Sequence, residues 1–162
     1  MNRKIALLLL VLLAVIFAPT HYTSAVASGN NPSANGHGNL TISGELRTFS
    51  FHALTRRDGT VKGSVTLHNR ALDIFDRYDI DCLNVVGNTA TLSGIITKST
   101  DTDLIGSRAI FRVVDNGEGS TNARDQISLV AVLPAGSTID CDTAGLVLPT
   151  LPIEGGNVQV TP

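Results

Sequence analysis

From residue 40 onward the chain alternates polar and apolar residues, and this two-residue period constrains its fold more than any other feature. The stretches TFSFHA (48–53) and VKGSVTLH (61–68) both follow the pattern. Successive side chains of a strand point to opposite faces, so each stretch predicts a strand with one buried and one exposed face. No segment after the N-terminal leader has a sustained 3.6-residue apolar repeat, so the sequence predicts an all-β fold.

The turn between these two strands also predicts how they pair. The tripeptide RDG at 57–59 contains Asp-Gly, which is typical of hairpins, and a three-residue loop ending in Gly fits a type I turn with a G1 bulge. If Arg56 pairs with Thr60, Phe51 lies opposite Val65 and the apolar faces of the two strands coincide. A two-residue loop would set Phe51 against a polar residue.

The remaining strands follow the same pattern, with a tight turn at Gly87-Asn88. We expect a single-domain antiparallel meander of seven or eight strands. A sheet of that size protects its edges by closing into a barrel or folding into a sandwich. A closed or nearly closed barrel is favoured, with a β-sandwich as the alternative. The further predicted strands are 78–86, 89–98, 109–115, 127–133 and 156–160, the last pairing near 39–42.

The first 27 residues have the pattern of a secretory signal peptide. Arg3 and Lys4 precede an apolar run at 5–18, and an Ala-Val-Ala sequence ends at Ala27. As a helix the run would be about 21 Å long, shorter than the ~30 Å hydrocarbon core of a membrane. We expect cleavage after Ala27; an uncleaved N-terminal anchor is the alternative. Residues 28–39 then predict a flexible leader, and 40–162 the β domain.

Charge excludes one class of partner. Removal of the leader takes away Arg3 and Lys4, so the formal net charge changes from −2 to −4. Arg56-Arg57 is the largest basic cluster of the mature chain, whereas nucleic-acid binding requires a basic patch. The sequence therefore predicts a secreted or extracytoplasmic protein, in the periplasm or outside the cell. It predicts no nucleic-acid binding, no membrane span after cleavage, and a partner in the envelope or outside the cell.

The two cysteines, Cys82 and Cys141, are predicted to pair, because an exported protein folds in an oxidising compartment. A bridge between them would close a loop of roughly 60 residues and contribute about 4 kcal/mol in the chain-entropy model. It would tie the C-terminal segment to a central strand. Two buried free thiols are the alternative.

The stretch VVDNGEGSTNARDQIS between two strands is a candidate metal site. Asp115, Glu118 and Asp125 could supply the hard oxygen ligands that calcium prefers. Counted from Asp115, however, positions three and five are glycines, so the EF-hand pattern fails. The alternative is a strand connection in which Asp115 and Asp125 hold the loop through its backbone amides. We favour the connection and keep calcium as the alternative; no other cofactor is expected.

No sequence pattern predicts a catalytic residue. The nucleophile elbow, the zinc-protease motif and the P-loop are all absent from the sequence. His52 and His68 share one hairpin face but lie about 13 Å apart along the strands, too far to share a zinc ion. Aspartates two residues apart could serve a carboxylate-dependent hydrolase, although such pairs also arise on wet sheet faces. These aspartates are Asp79, Asp81, Asp101, Asp103, Asp140 and Asp142.

Three strings of residues occur together in a recognisable combination. They are FSFHA (49–53) with Asp-Gly and LHNR (67–70), CLNVVGN (82–88), and FRVVDNGEG (111–119) with DQIS (125–128). The combination resembles a group of secreted bacterial β-rich domains of unknown function. The resemblance implies an all-β fold and an extracytoplasmic setting, and it carries over no activity and no site residue.

These observations lead to three functional expectations. The first is a non-enzymatic secreted β domain that acts as a binding or structural module. The second is a carrier that holds a small ligand in the barrel interior, as some eight-stranded barrels do. The third is a hydrolase that uses paired carboxylates.

Overall fold

The structure, a computed structural model, describes residues 31–118 and 123–162. The expected signal peptide at 1–27, its cleavage site after Ala27 and residues 28–30 of the expected leader lie outside these ranges. Within them, no helix has the length and apolar character needed to cross a membrane. The helical element found in the described part of the chain is a single 3₁₀ turn, Thr102–Leu104.

Ten strands within the described ranges form one antiparallel sheet, which curls into an open half-barrel. The all-β antiparallel fold is therefore confirmed, with ten strands in place of the seven or eight expected. The spatial order is β10-β1-β2-β3-β4-β5-β6-β7-β9, and β8 pairs with β6 beyond the end of β7. In chain order the strands are β1 (Ser33–Ile42), β2 (Glu45–Thr55), β3 (Val61–Asn69), β4 (Ile74–Val86), β5 (Thr89–Ser99), β6 (Arg108–Val114), β7 (Gln126–Ser128), β8 (Ala131–Leu133), β9 (Thr150–Pro152) and β10 (Gly155–Thr161).

The predicted hairpin register is confirmed. Arg56 N–H donates to the Thr60 carbonyl at 2.7 Å, and Phe51 lies opposite Val65. The β4–β5 hairpin also follows the prediction, with Gly87-Asn88 as its turn. Turn chemistry and one apolar face were sufficient to fix both registers, because a slip of one residue would move every apolar side chain to the wrong face.

The predicted leader is wrong for residues 33–39, which form the first part of β1. This segment pairs with β2 on one side and with β10 on the other. Glycine is required here because the rings of Phe51 and Phe49 occupy the space above Gly36 and Gly38. A Cβ at Gly36 would lie 2.8 Å from the Phe51 ring, and one at Gly38 2.9 Å from the Phe49 ring. β10 pairs with residues 33–39 and reaches the predicted 39–42 region only at Asn39.

The predicted strand at 127–133 is interrupted. β7 and β8 both pair with β6, but the register shifts by one residue between Val113↔Ile127 and Ile110↔Ala131. Leu129 lies at this shift and is 51% exposed, whereas a continuous strand would place it on the same face as the buried Ile127. A strand that the sequence analysis did not predict is β9, a three-residue edge strand that ends at Pro152.

The core lies inside the half-barrel. Phe51 packs edge-on against Phe111 with ring centroids 5.7 Å apart, and Tyr78 and Leu92 are among the most buried side chains. Burying each such side chain contributes about 1.5–3 kcal/mol relative to leaving it exposed. Two register shifts along the β4–β5 pair, between Arg77 and Tyr78 and next to Ile80, help the sheet to curl, because bulges bend a strand.

Candidate functional site

Of the three calcium candidates, Asp115 and Asp125 accept hydrogen bonds from backbone amides. Asp125 is 6% exposed, and its two carboxylate oxygens accept from Asn116 N–H at 2.8 Å and Val158 N–H at 2.7 Å. The Asp115 oxygens accept from Gly117 N–H at 2.8 Å and from an N–H of β10 at 3.0 Å. These contacts support the strand-connection interpretation.

The two carboxylates also join distant parts of the sheet. Asp115 and Asp125 flank the loop after β6, whereas Val158 and Val160 belong to β10 at the far edge of the sheet. The third candidate, Glu118, accepts from the Asn157 side-chain amide at 2.9 Å, again on β10. All three acids therefore connect this loop with β10. The central loop residues 119–122 lie outside the described residues, and calcium binding stays a prediction.

The histidine pair is placed as the register predicted. His52 lies opposite Ser64, whose hydroxyl is 3.5 Å from the imidazole Nδ1. His68 contacts Asp73 through Nε2 at 3.1 Å, so each imidazole has a separate neighbour. Another histidine, His37, lies in the segment predicted as a flexible leader and is exposed on β1.

The paired aspartates have structural partners. Asp81 accepts two hydrogen bonds from the Arg108 guanidinium, at 2.8 and 2.9 Å, and this carboxylate raises the pKa of Arg108. Asp101 caps the 3₁₀ turn by accepting from Asp103 N–H at 3.2 Å. Asp79 lies 3.9 Å from the Arg77 guanidinium. Such pairing supports a structural role for these carboxylates more than a hydrolytic one.

The disulfide between Cys82 and Cys141 is present, with Cα atoms 5.8 Å apart. It holds the segment 134–149 against the outer face of β4 and β5. Ser93, which is fully buried beneath this segment, accepts from Cys141 N–H at 3.3 Å and from Arg108 at 3.0 Å. The sulfurs also lie near the Asp142 carboxylate, but in a disulfide they are not thiolates and cannot serve as metal ligands.

An apolar cleft opens at one end of the half-barrel, where β1 and β3 end and β2 and β4 begin. Its volume is about 240 Å³, and nine of its 15 lining residues are apolar. Phe49 is the one aromatic side chain of this lining. Leu72 and Leu129 line the cleft while remaining 58% and 51% exposed. The other apolar walls are formed by Leu40, Ile42, Leu67, Ile74, Ile127 and Val130.

A small polar cluster forms part of the cleft rim. Arg47 donates to the Glu45 carboxylate at 3.1 Å, and Asn69 donates to the same oxygen at 2.7 Å. The Asn69 amide first, and then Arg47, lower the pKa of Glu45 below its ordinary value, so Glu45 stays ionised at neutral pH. Asp76 also lines the cleft, and its Oδ1 accepts from the Ser99 hydroxyl at 2.5 Å.

Sequence reasoning did not predict this cleft. Its lining comes from β1 to β4 with the β3–β4 turn, and from β7 with its connection to β8, so its members are distant in the chain. One signal was available in the sequence. In β2 the buried residues alternate up to Phe49, and Arg47 then occupies the position where the pattern calls for another apolar residue. A charged residue that continues a buried face often marks a functional position.

No protein-family model, curated protein or solved structure matches this chain.

Proposed function

We propose that this protein is a non-enzymatic binding module that acts outside the cytoplasm and holds a small, mostly apolar ligand in the cleft of its half-barrel. The observation that carries the proposal is the cleft itself. Its walls are mostly apolar and a few polar groups lie at its rim, which is the usual composition of a small-molecule site. Phe49 is 5% exposed and lines the cleft beside the core, so a rigid packed element supports the site.

The charged side chains support binding more than catalysis. In the described part of the chain, the aspartates considered for hydrolysis cap turns, pair with arginine or lie exposed on the surface. At the rim of the cleft, Glu45 is held by Asn69 and Arg47 and remains ionised, so it does not offer a proton at neutral pH. The cleft therefore supplies contact surface and hydrogen bonds without an arranged acid and base.

Two features support an extracytoplasmic location. The pattern of residues 1–27 is that of a cleaved export signal. The Cys82–Cys141 disulfide requires an oxidising compartment to persist. A binding module in the envelope or outside the cell agrees with both, and so does the resemblance to secreted bacterial β-rich domains.

The test is binding of a neutral, apolar fluorescent probe such as N-phenylnaphthylamine to the wild-type protein and to two matched variants. Leu129→Gln removes an exposed apolar side chain from the mouth of the cleft. We expect probe affinity to fall about fivefold, because covering the exposed half of Leu129 contributes about half of the ~1.5–3 kcal/mol of a fully buried leucine. Leu54→Gln changes a leucine of similar exposure on the outer face of β2 and should leave affinity unchanged.

Two outcomes would refute the proposed function. One is failure of the wild-type protein to bind the probe. The other is an equal effect of the Leu129 and Leu54 substitutions, since binding would then not involve the cleft. Thermal unfolding of each variant verifies that both remain folded.

A further inference from the structure

We propose that the cleft selects an apolar ligand carrying a neutral hydrogen-bond-accepting oxygen, such as an ester or amide carbonyl, and that Arg47 recognises this oxygen. This inference rests on the proposed function and adds the chemical class of the ligand.

Arg47 lies on the inner face of the sheet. It is two residues from Phe49 on β2, and its partners in the neighbouring strands are Leu40 and Asn69. Leu40 and Phe49 are both buried. Because alternate residues of a strand share a face, the Arg47 side chain follows Phe49 on the inner face, one position before Glu45 at the end of the strand.

The guanidinium has donors that the described residues do not use. Nη2 donates to Glu45, but Nε is buried and has no acceptor among the described residues. The side chain as a whole is 39% exposed, so the guanidinium reaches solvent at the cleft. The large majority of buried side-chain polar atoms in proteins have a hydrogen-bond partner, so an oxygen that reaches Nε after a small side-chain rotation would complete the site.

The surrounding charges favour a neutral ligand oxygen. Glu45 already balances the charge of Arg47, and Asp76 adds a second carboxylate to the lining. A ligand carboxylate would therefore introduce a third negative charge beside a single guanidinium. A ligand ammonium group would face Arg47 and cannot accept a hydrogen bond from it. A carbonyl oxygen accepts the hydrogen bond without either repulsion.

The size of the cleft restricts the apolar part of the ligand. A volume of about 240 Å³ lies just below the ~300–1,000 Å³ range of most small-molecule pockets. A short acyl chain or one end of a longer molecule therefore fits. A second apolar groove of about 280 Å³ shares the wall Ser128 to Val130 with the cleft. A longer ligand could leave the cleft past Leu129 and continue into this groove.

The experiment measures, by calorimetry, the binding of methyl hexanoate, hexanoate, hexylamine and toluene to the wild-type protein. We expect the ester to bind about tenfold more tightly than the carboxylate or the amine at neutral pH. Arg47→Met should weaken ester binding about tenfold, the usual effect of losing a hydrogen bond to a charged group, and leave toluene binding unchanged. Arg77→Met, an exposed substitution on β4, is the matched control and should change neither.

A second measurement uses the wild-type protein alone. The NMR resonance of Arg47 Nε–H should shift on addition of methyl hexanoate but not on addition of toluene, because only the ester has an acceptor oxygen. This readout remains available if Arg47→Met does not fold.

The outcomes separate the inference from the proposed function. Equal binding of the ester, the carboxylate and toluene, or tighter binding of hexanoate, would refute the ligand class and leave an apolar binding cleft. A parallel loss of ester and toluene binding in Arg47→Met would show that Arg47 only maintains the shape of the cleft. If no compound binds, both the inference and the proposed function fail.

Discussion

Two aspartates use their side chains to connect strands that are not neighbours in the open sheet. Asp115 and Asp125 lie beside β6 and β7, and each accepts an amide hydrogen bond from β10. The sequence placed both residues at strand ends and indicated that they hold amides. It did not indicate that β10 supplies some of those amides, because Val158 follows Asp125 by 33 residues and local turn chemistry says nothing about such distances.

Asp125→Asn is predicted to destabilise the protein by about 2–3 kcal/mol. Asparagine has nearly the same shape, but its NH₂ group would face one of the two backbone amides that now donate to the carboxylate. A buried donor without an acceptor costs about 1–3 kcal/mol, and hydrogen bonds to charged groups are the stronger ones. Urea unfolding of the wild type and the variant measures the difference.

The control for this prediction is Asp103→Asn, an exposed residue in the 3₁₀ turn. Its effect should lie within about 0.5 kcal/mol of zero, as for most surface substitutions. If the Asp125 and Asp103 variants were equally stable, the hydrogen bonds to β10 would contribute nothing measurable.

Among the elements, the hairpins could be predicted from sequence and β1 could not. Hairpin registers follow from turn residues and one apolar face, both of which are local. The first part of β1 reads SANGHGN, a composition typical of a loop. Its strand conformation depends on two long-range conditions, namely pairing with β10 and room beneath the rings of Phe49 and Phe51. The break between β7 and β8 could not be predicted, because it depends on the registers in which both strands pair with β6.

Gly36→Val tests the role of β1. If residues 33–39 were a flexible leader, this substitution would have no effect on stability. In the sheet, a Cβ at this position would come within 2.9 Å of the Asn157 carbonyl and 2.8 Å of the Phe51 ring, so either the ring or β10 must move. Overpacking of this kind costs about 1–3 kcal/mol or more. Thermal or urea unfolding measures the loss.

Asn35→Val is the matched control on the same strand, because Asn35 is exposed on the outer face. Valine has a higher β-propensity than asparagine, so this variant should be as stable as the wild type or slightly more stable. Equal stability of the two valine variants would place this segment outside the folded domain.

At the scale of the whole molecule, the sheet separates two kinds of packing. Its inner face holds the apolar core and, at one end, the cleft. Its outer face, at β4 and β5, is covered by residues 134–149. The Cys82–Cys141 bridge, the Ser93 hydroxyl and a hydrogen bond from Arg112 to the Leu146 carbonyl at 2.9 Å hold this segment in place. Ile110 is fully buried although it lies outside the main core cluster, which agrees with a second packing layer here.

This separation predicts that loss of the disulfide lowers stability without altering the cleft. In the double variant Cys82→Ser/Cys141→Ser, the free energy of unfolding should fall by about 4 kcal/mol, because the bridge joins two residues that are 59 positions apart in the sequence. Probe affinity, measured at a temperature where the variant is still folded, should match that of the wild type, since the bridge and the cleft lie on opposite faces of the sheet. Reduction of the wild-type protein should reproduce both results. If probe affinity fell along with stability, the two faces would be coupled through β4 and β5, and the covering segment would belong to the binding site.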